Sequence, residues 1–357
     1  MSAPEDLLQL TAELIDIPSE SYQEGPLVDH LETQLRALDH LEVVRVGDNL
    51  VARTDLGRSR RLILAGHTDT VPAAGNATSR LDGDTLWGLG AADMKGGLAV
   101  MLASARHHRR PSVDLTYVFY AREEVAAADS GLEELFVTRP DLLTGDLALL
   151  GEPTDAAIEA GCQGTLRAKV GLRGRRAHTA RAWMGDNAIH RAAPLIAALA
   201  AIEPRTPEIE GCRYHEAWQV VGITGGVSGN VVPDLVEITV GHRFAPDRTL
   251  AAAEAELRSV LSPHLREGDS VEIVDGAPAA TPALQHPLLR QLIEVHQLEV
   301  RAKLGWTDVA RFASRGVPAA NFGPGDATLA HTPEERVHRD SLERVWSALD
   351  AVVGIPW

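Results

Sequence analysis

Five side chains able to hold a metal stand just past short apolar runs or in the loops that follow them. The run Leu62–Ala65 leads into Gly66-His67-Thr68-Asp69, and a Gly-rich segment carries Asp93 in Ala92-Asp93-Met94-Lys95-Gly96-Gly97. Leu115–Tyr120 leads to Arg122-Glu123-Glu124, Leu147–Leu150 to Gly151-Glu152-Pro153, and the stretch from Ala319 to Asp326 to Ala330-His331. Imidazole nitrogen and carboxylate oxygen are good zinc ligands. Two metals about 3.5–4 Å apart need a bridging carboxylate and roughly two further ligands each. Asp93 as bridge, His67 with Glu152 on one metal, and Glu124 with His331 on the other supply that number. Two divalent ions balance three carboxylates and one hydroxide, so such a cluster can be buried without a large Born cost. Singly, each residue has an ordinary structural reading. His67 would be a satisfied strand-end histidine, Glu123-Glu124 a solvated pair, Asp93 a helix-dipole partner and Glu152-Pro153 a turn. Their joint occurrence at strand ends points to chemistry.

The elements that must position them follow from periodicity. Asp6–Ile17 and Pro26–Leu38 carry apolar residues at spacings of three and four, as helices do. Val51–Arg53, Leu62–Ala65, Leu115–Tyr120 and Leu147–Leu150 read as strands, with a helix over Gly97–His108. Strands alternating with helices imply an α/β fold whose sheet is mixed and mostly parallel, with helices on its faces. In such sheets sites gather at the carboxyl ends of the strands. From Thr165 the rhythm changes to a strand (Thr165–Leu172), a helix (Asn187–Ile202), two strands (Ala217–Thr224, Leu235–Phe244), a helix (Leu250–Leu261) and a strand (Ser270–Val274). That βαββαβ order is a ferredoxin-like unit able to fold alone. The α/β pattern returns after Pro282, with a strand over Pro318–Phe322 and a helix over Asp340–Val353. The expected organisation is a discontinuous domain of residues 1–164 and 281–357 interrupted by an inserted domain of 165–280.

Composition sets the class. The chain of 357 residues is 45% hydrophobic and 24% charged, ordinary globular values, with a net charge of −16. That charge disfavours nucleic-acid and anionic-membrane partners. No run of about 18 apolar residues is present, and the acidic start MSAPEDLLQLTAELIDIPS lacks a signal-peptide pattern. Cys162 and Cys212 are the only cysteines, too few for a disulfide framework or a cysteine zinc site. A cytoplasmic location is expected. His107-His108 read as helix-end cations beside Arg109-Arg110. Gly222–Gly226 lacks a P-loop lysine and is not read as a phosphate site.

The motifs HTDTVP, ADMKGG, the Glu123-Glu124 pair, GEPT and FGPGD followed by Ala330-His331 resemble the co-catalytic zinc metallopeptidase and aminoacylase superfamily, over essentially the whole chain. GEPTDAAIEAGCQGTLR, RAHTARAWMGDNAIH, HRFAPDR and RAKLGWTDVARF are most similar to the bacterial succinyl-diaminopimelate desuccinylases within it. The resemblance implies a zinc-peptidase-like catalytic domain with an inserted lid and dimerisation domain. It implies two Zn2+ per subunit, with Co2+ or Mn2+ as alternatives in the second site, on His67, Asp93, Glu124, Glu152 and His331. Asp69 becomes the carboxylate orienting His67, Glu123 the general base, and the Asp93–Met94 peptide cis. His178 is expected to reach the partner's active site in a homodimer and steady the oxyanion. Arg243, Asn230, Thr165, Gly305 and Thr307, with Asp308 beside them, fall in substrate-lining segments, and arginine suits a carboxylate.

The implied reaction is zinc-dependent removal of succinate from N-succinyl-L,L-diaminopimelate, a small-molecule N-acyl amino acid, in lysine and cell-wall precursor synthesis. The metals would make hydroxide available near neutral pH, while Glu123 moves the proton to the departing amine. The alternatives are acetylornithine deacetylase or another deacylase or dipeptidase of the superfamily, and a catalytically silent scaffold. A silent scaffold would be expected to lack Glu123 or a ligand, and none is missing.

Overall fold

The apolar runs that precede the candidate ligands become neighbouring strands. In this computed structural model, which describes residues 5–354, Arg61–His67 pairs in parallel with Asp114–Tyr120 on one side and Leu147–Leu150 on the other. Leu147–Leu150 pairs in parallel with Ala319–Asn321. These four strands are the middle of an eight-stranded sheet. Every residue of Asp114–Tyr120 is buried, as expected where both faces of a parallel sheet are covered. Antiparallel strands flank them: the hairpin Glu42–Val46 and Asn49–Arg53 next to Asp114–Tyr120, and Ile158–Ala160 beside Ala319–Asn321. The sheet is therefore mixed with a parallel centre. The helix Leu7–Ile15 starts at Asp6, whose carboxylate accepts from the Leu8 and Gln9 amides at 3.0 and 3.2 Å. It packs with Lys95–His107 and Arg339–Gly354.

The chain divides into two compact units. Met1–Ala160, Pro282–Arg301 and Arg311–Trp357 form one; Gly161–Thr281 with Ala302–Ala310 form the other. Gly305, Thr307 and Asp308 thus belong with the inserted segment, although they follow it in sequence by more than twenty residues. Inside the second unit, four antiparallel strands run in the order Ala217–Gly225, Leu235–Phe244, Gly164–Arg173, Ser270–Ala277. The alternating burial of Gly164–Arg173 marks one covered face. The helices Ala188–Ala200 and Leu250–Leu261 cover it, setting Leu195, Leu199, Leu257 and Leu261 against Val170, Leu172, Ile238 and Val240. Asn187 caps the first of these helices through the Ile189 and His190 amides.

Three features lie outside the expected elements. Glu42–Val46 is only half-buried; the helices Gly131–Thr138 and Pro287–His296 are short. The small sheet of Arg80–Asp82, Thr85–Trp87 and Arg336–His338 joins segments far apart in sequence. Cys162 and Cys212 are buried free thiols. No helix of the described residues is long and apolar enough to cross a membrane.

Candidate metal centre

All five candidate ligands and Glu123 lie in the first unit. His67 ends its strand fully buried, its Nε2 at 3.0 Å from Asp93 Oδ1. Asp93 Oδ2 lies 3.5 Å from His331 Nε2, which is 2.8 Å from Glu124 Oε1. Two groups, His67–Asp93–Glu152 and Asp93–Glu124–His331, each bring ligand atoms within 4.8 Å of one another and share Asp93. Glu123 joins His67 and Glu124 in a third group of the same tightness. Nitrogen and carboxylate donors so arranged could hold two divalent metals with Asp93 between them. The Asp93–Met94 peptide is cis.

Close packing brings the strand ends together. A Cβ on Gly97 would lie 2.3 Å from the Gly151 carbonyl oxygen, and one on Gly66 would lie 2.4 Å from Met94 Cε. Only glycine lets the helix start and the Glu152 strand approach so closely. His331 adopts a positive φ of 62° in an exposed loop, a rare conformation for a side-chain-bearing residue.

Asp69 was expected to orient His67 through its carboxylate, but it meets the ring more closely through its main chain. The nearest acceptor for His67 Nδ1 is the Asp69 main-chain carbonyl at 3.0 Å, with the carboxylate at 3.6 Å. That carboxylate instead accepts from the Glu123 amide at 2.9 Å, the Glu124 amide at 3.1 Å and Ser21 Oγ at 2.8 Å. It holds the turn that presents both glutamates. Arg122, in the left-handed region just before them, donates its amide to Glu24, and its guanidinium binds the Asp129 carbonyl and Glu134.

Glu335 was missed. Its buried carboxylate accepts from the Gly90, Ala92 and Asp93 amides at 3.0, 3.0 and 2.9 Å. It clamps the loop carrying Asp93, and nothing in the run Glu334-Glu335-Arg336 separates it from a solvated pair. Lys95 is likewise buried, with Nζ on the Ile17 carbonyl at 2.8 Å, and burial lowers its pKa to about 8.

Imidazoles and carboxylates move one another's pKa here. Burial works against charge on His67, yet Asp69 and Asp93 outweigh it and raise the ring well above its ordinary value. Burial also opposes ionisation of Asp69, but His67 and the turn amides bring it down to about 2. Asp93 is held far below the usual range by the two histidines despite its burial. Glu124 is raised, by burial and then by Asp93. His331 rises to about 9, chiefly through Asp93. The carboxylates favour positive charge among them, which suits a dication as well as an imidazolium.

In the inserted unit, Thr165 faces Arg243 across paired strands. Thr179 donates its amide to the Asn230 carbonyl, and His178 bridges Val231, so His178 and Asn230 share one surface. His178 Nδ1 accepts from the Ala180 amide at 3.1 Å, which leaves the ring proton on Nε2. His178, Asn230, Arg243 and Gly305 are exposed; Thr307 is buried.

The profile of peptidase family M20/M25/M40 matches residues 63–354. A Mycobacterium tuberculosis (strain H37Rv) protein provisionally named succinyl-diaminopimelate desuccinylase DapE is 49% identical over 335 residues, covering 93% of each chain. The Corynebacterium glutamicum succinyl-diaminopimelate desuccinylase is 44% identical over 350 residues, covering 96% of this chain and 95% of its own. The crystal structure of Bacillus cereus aminopeptidase PepT has the same fold, with TM-score 0.80 at 20% identity over 98% of this chain and 97% of that one. So does a Bacillus subtilis dinuclear metal binding peptidase of the M20 family, with TM-score 0.68 at 16% identity over 97% and 96%. The chain belongs to peptidase family M20/M25/M40, a metal-dependent family.

Proposed function

We propose that the chain is a zinc-dependent amide hydrolase that removes succinate from N-succinyl-L,L-diaminopimelate, releasing L,L-diaminopimelate. The observation that carries this is the convergence of two three-residue ligand groups on Asp93 in a chain 44–49% identical to proteins named desuccinylases. His67, Asp93 and Glu152 would hold one zinc, and Asp93, Glu124 and His331 the other; together they would supply a nucleophile at neutral pH and polarise the amide carbonyl. Glu123, beside the ligand set without being counted in it, takes the proton from the attacking water and returns it to the departing amine. Asp69 fixes the turn on which Glu123 and Glu124 stand.

The substrate carries several carboxylates, which a chain of net charge −16 must meet with local cations. Arg243, with Thr165 opposite it, is our candidate, with Asn230, Gly305 and Thr307 as further contacts. Arg175 is a second candidate. Arg176 is weaker, because its Nε is 2.7 Å from Asp234. We assign His178 an oxyanion role in the partner's site, which its free Nε2–H supports. The discontinuous unit is then the catalytic domain and the inserted unit the lid and dimerisation domain. The sheet edge Ala217–Gly225, where Val221 is 62% and Ile223 51% exposed, suits pairing with a second copy. A small cytoplasmic metabolite is the expected substrate.

The test is kcat/KM of the zinc-loaded protein for N-succinyl-L,L-diaminopimelate beside N-acetylornithine. A preference of about a hundredfold for the succinyl compound, about 2.7 kcal/mol, supports the reading. The reverse preference would overturn the acyl assignment and keep the hydrolase.

A further inference from the structure

A second convergence of metal-binding atoms lies elsewhere in the first unit. His107, His108 and Asp350 bring one ligand atom each within 4.8 Å of one another. His108 Nε2 is 3.0 Å from Asp350 Oδ1, and His107 Nε2 is 3.9 Å from the same oxygen. Asp350 stands on the helix Arg339–Gly354, and the histidines end the helix Lys95–His107. That helix has 13 residues, so about 1.5 Å per residue puts roughly 18 Å between Lys95 and His107. The pair is well away from Asp93.

We propose that His107, His108 and Asp350 form a separate binding site for a divalent transition metal of the zinc class. Two imidazoles and one carboxylate are the donor set that zinc, nickel, cobalt and copper prefer. The ring of His108 is already oriented for it. Its Nδ1 is 3.1 Å from the Ser104 carbonyl and 3.0 Å from Ser104 Oγ, which in turn meets Tyr117 Oη at 3.0 Å. A histidine whose Nδ1–H is donated to a carbonyl presents the Nε2 lone pair outward, the arrangement seen behind metal-bound imidazoles. Burial lowers the pKa of His108, so its neutral form prevails at pH 7. Trp346 stacks on His108 at 5.6 Å and meets His107 edge-on at 5.5 Å, fixing both rings.

A hydrogen-bonded Ser104–His108–Asp350 chain explains two of the three residues without a metal. It gives no reason for His107, half-exposed, to turn its Nε2 toward the same carboxylate oxygen. The two helix C-termini that meet here place their negative dipole ends at the site, which favours a cation. Two of the neighbouring arginines are engaged elsewhere: Arg106 with Glu5 and Gln34, Arg109 with Asp39. His107 also leaves the site open to solvent for entry.

The experiment counts metal in full-length protein stripped with chelator, equilibrated with excess Zn2+ and freed of unbound ion. His107→Gln is expected to hold one zinc fewer per chain than wild type and to keep amide hydrolysis within about twofold. The count is a difference, so it is independent of how many ions the cluster around Asp93 holds. Asp350→Asn should lose the same ion. Cu2+ should quench the fluorescence of Trp346, identified by Trp346→Phe, and this quenching should vanish in His107→Gln. His107 is exposed enough for its variant to fold even if Asp350→Asn does not. Equal zinc counts in wild type and His107→Gln, or quenching of Trp346 unchanged in that variant, overturn the proposal.

Discussion

The two units hold their candidate residues in opposite ways. Around Asp93, His67, Glu123, Glu124 and Glu152 stand at or just past the ends of buried parallel strands, His331 comes from an exposed loop, and two carboxylates that bind backbone amides lock the turns: Asp69 under Glu123 and Glu124, Glu335 under Gly90, Ala92 and Asp93. In the inserted unit, His178, Asn230 and Arg243 are exposed, and the first two stand in irregular backbone held by a few main-chain bonds. Buried preorganisation suits groups that must keep a fixed geometry through the reaction. Exposed groups on a separate unit suit contacts made only when substrate arrives. Substitutions in the first unit should therefore remove metal or turnover, and those in the second should change kinetics and leave metal and stability alone.

The largest contrast is metal removal. Chelation should abolish hydrolysis and lower the melting temperature, since a ligand present at about a thousand times its Kd adds about 4 kcal/mol; a stripped enzyme that keeps its turnover would end the metal-dependent reading. Next comes Glu123→Gln, expected to keep both metals and lose roughly 10²- to 10⁴-fold in kcat. Near wild-type turnover there would remove Glu123 from proton transfer. Glu335→Ala leaves three buried amides without their acceptor and should weaken metal binding about 10- to 100-fold, measured by competition with a chelating dye. Metal affinity equal to wild type would mean that the Asp93 loop holds its shape unaided. In the inserted unit, Arg243→Lys should raise KM more than it lowers kcat, with metal content and melting temperature unchanged. An unchanged KM takes Arg243 off the substrate.

The smallest effect is in pH. In the metal-free protein, His331 has a pKa raised from 6.5 to about 9 by Asp93 and Glu124. A raised pKa means that protonated His331 stabilises the fold fully below about pH 6.5, and that this contribution is lost as pH rises through about 9. The melting temperature of the metal-free protein should fall slightly over that range. Metal uptake must displace the proton, so apparent metal affinity should rise over the same range, read by calorimetry in buffers of different ionisation enthalpy.

Most of the strand frame was legible because buried parallel strands are continuous apolar runs. Leu62–Ala65, Leu115–Tyr120 and Leu147–Leu150 fall inside or match strands of the sheet. The βαββαβ order was legible because alternation and helical spacing switch cleanly there. Glu42–Val46 was not, since a half-exposed edge strand has no such run. The positions of the candidate ligands relative to the strands could be read from order alone. Glu24 and Glu335 could not, because a buried carboxylate and a solvated one look alike until the amides that receive it are in place. His107 and His108 read as helix-end cations for the same reason, their partner Asp350 being 242 residues from His108.

Residue order and type determined which side chains carry metal-binding atoms and most of the runs that are strands and helices. These follow from short-range periodicity and from the chemistry of each side chain. Tertiary structure decided which carboxylates became clamps, which of its atoms Asp69 offers to His67, and which segment rejoined the inserted unit. Those outcomes depend on burial and on hydrogen bonds between residues distant in the chain, and they exist only once the strands have brought these residues together.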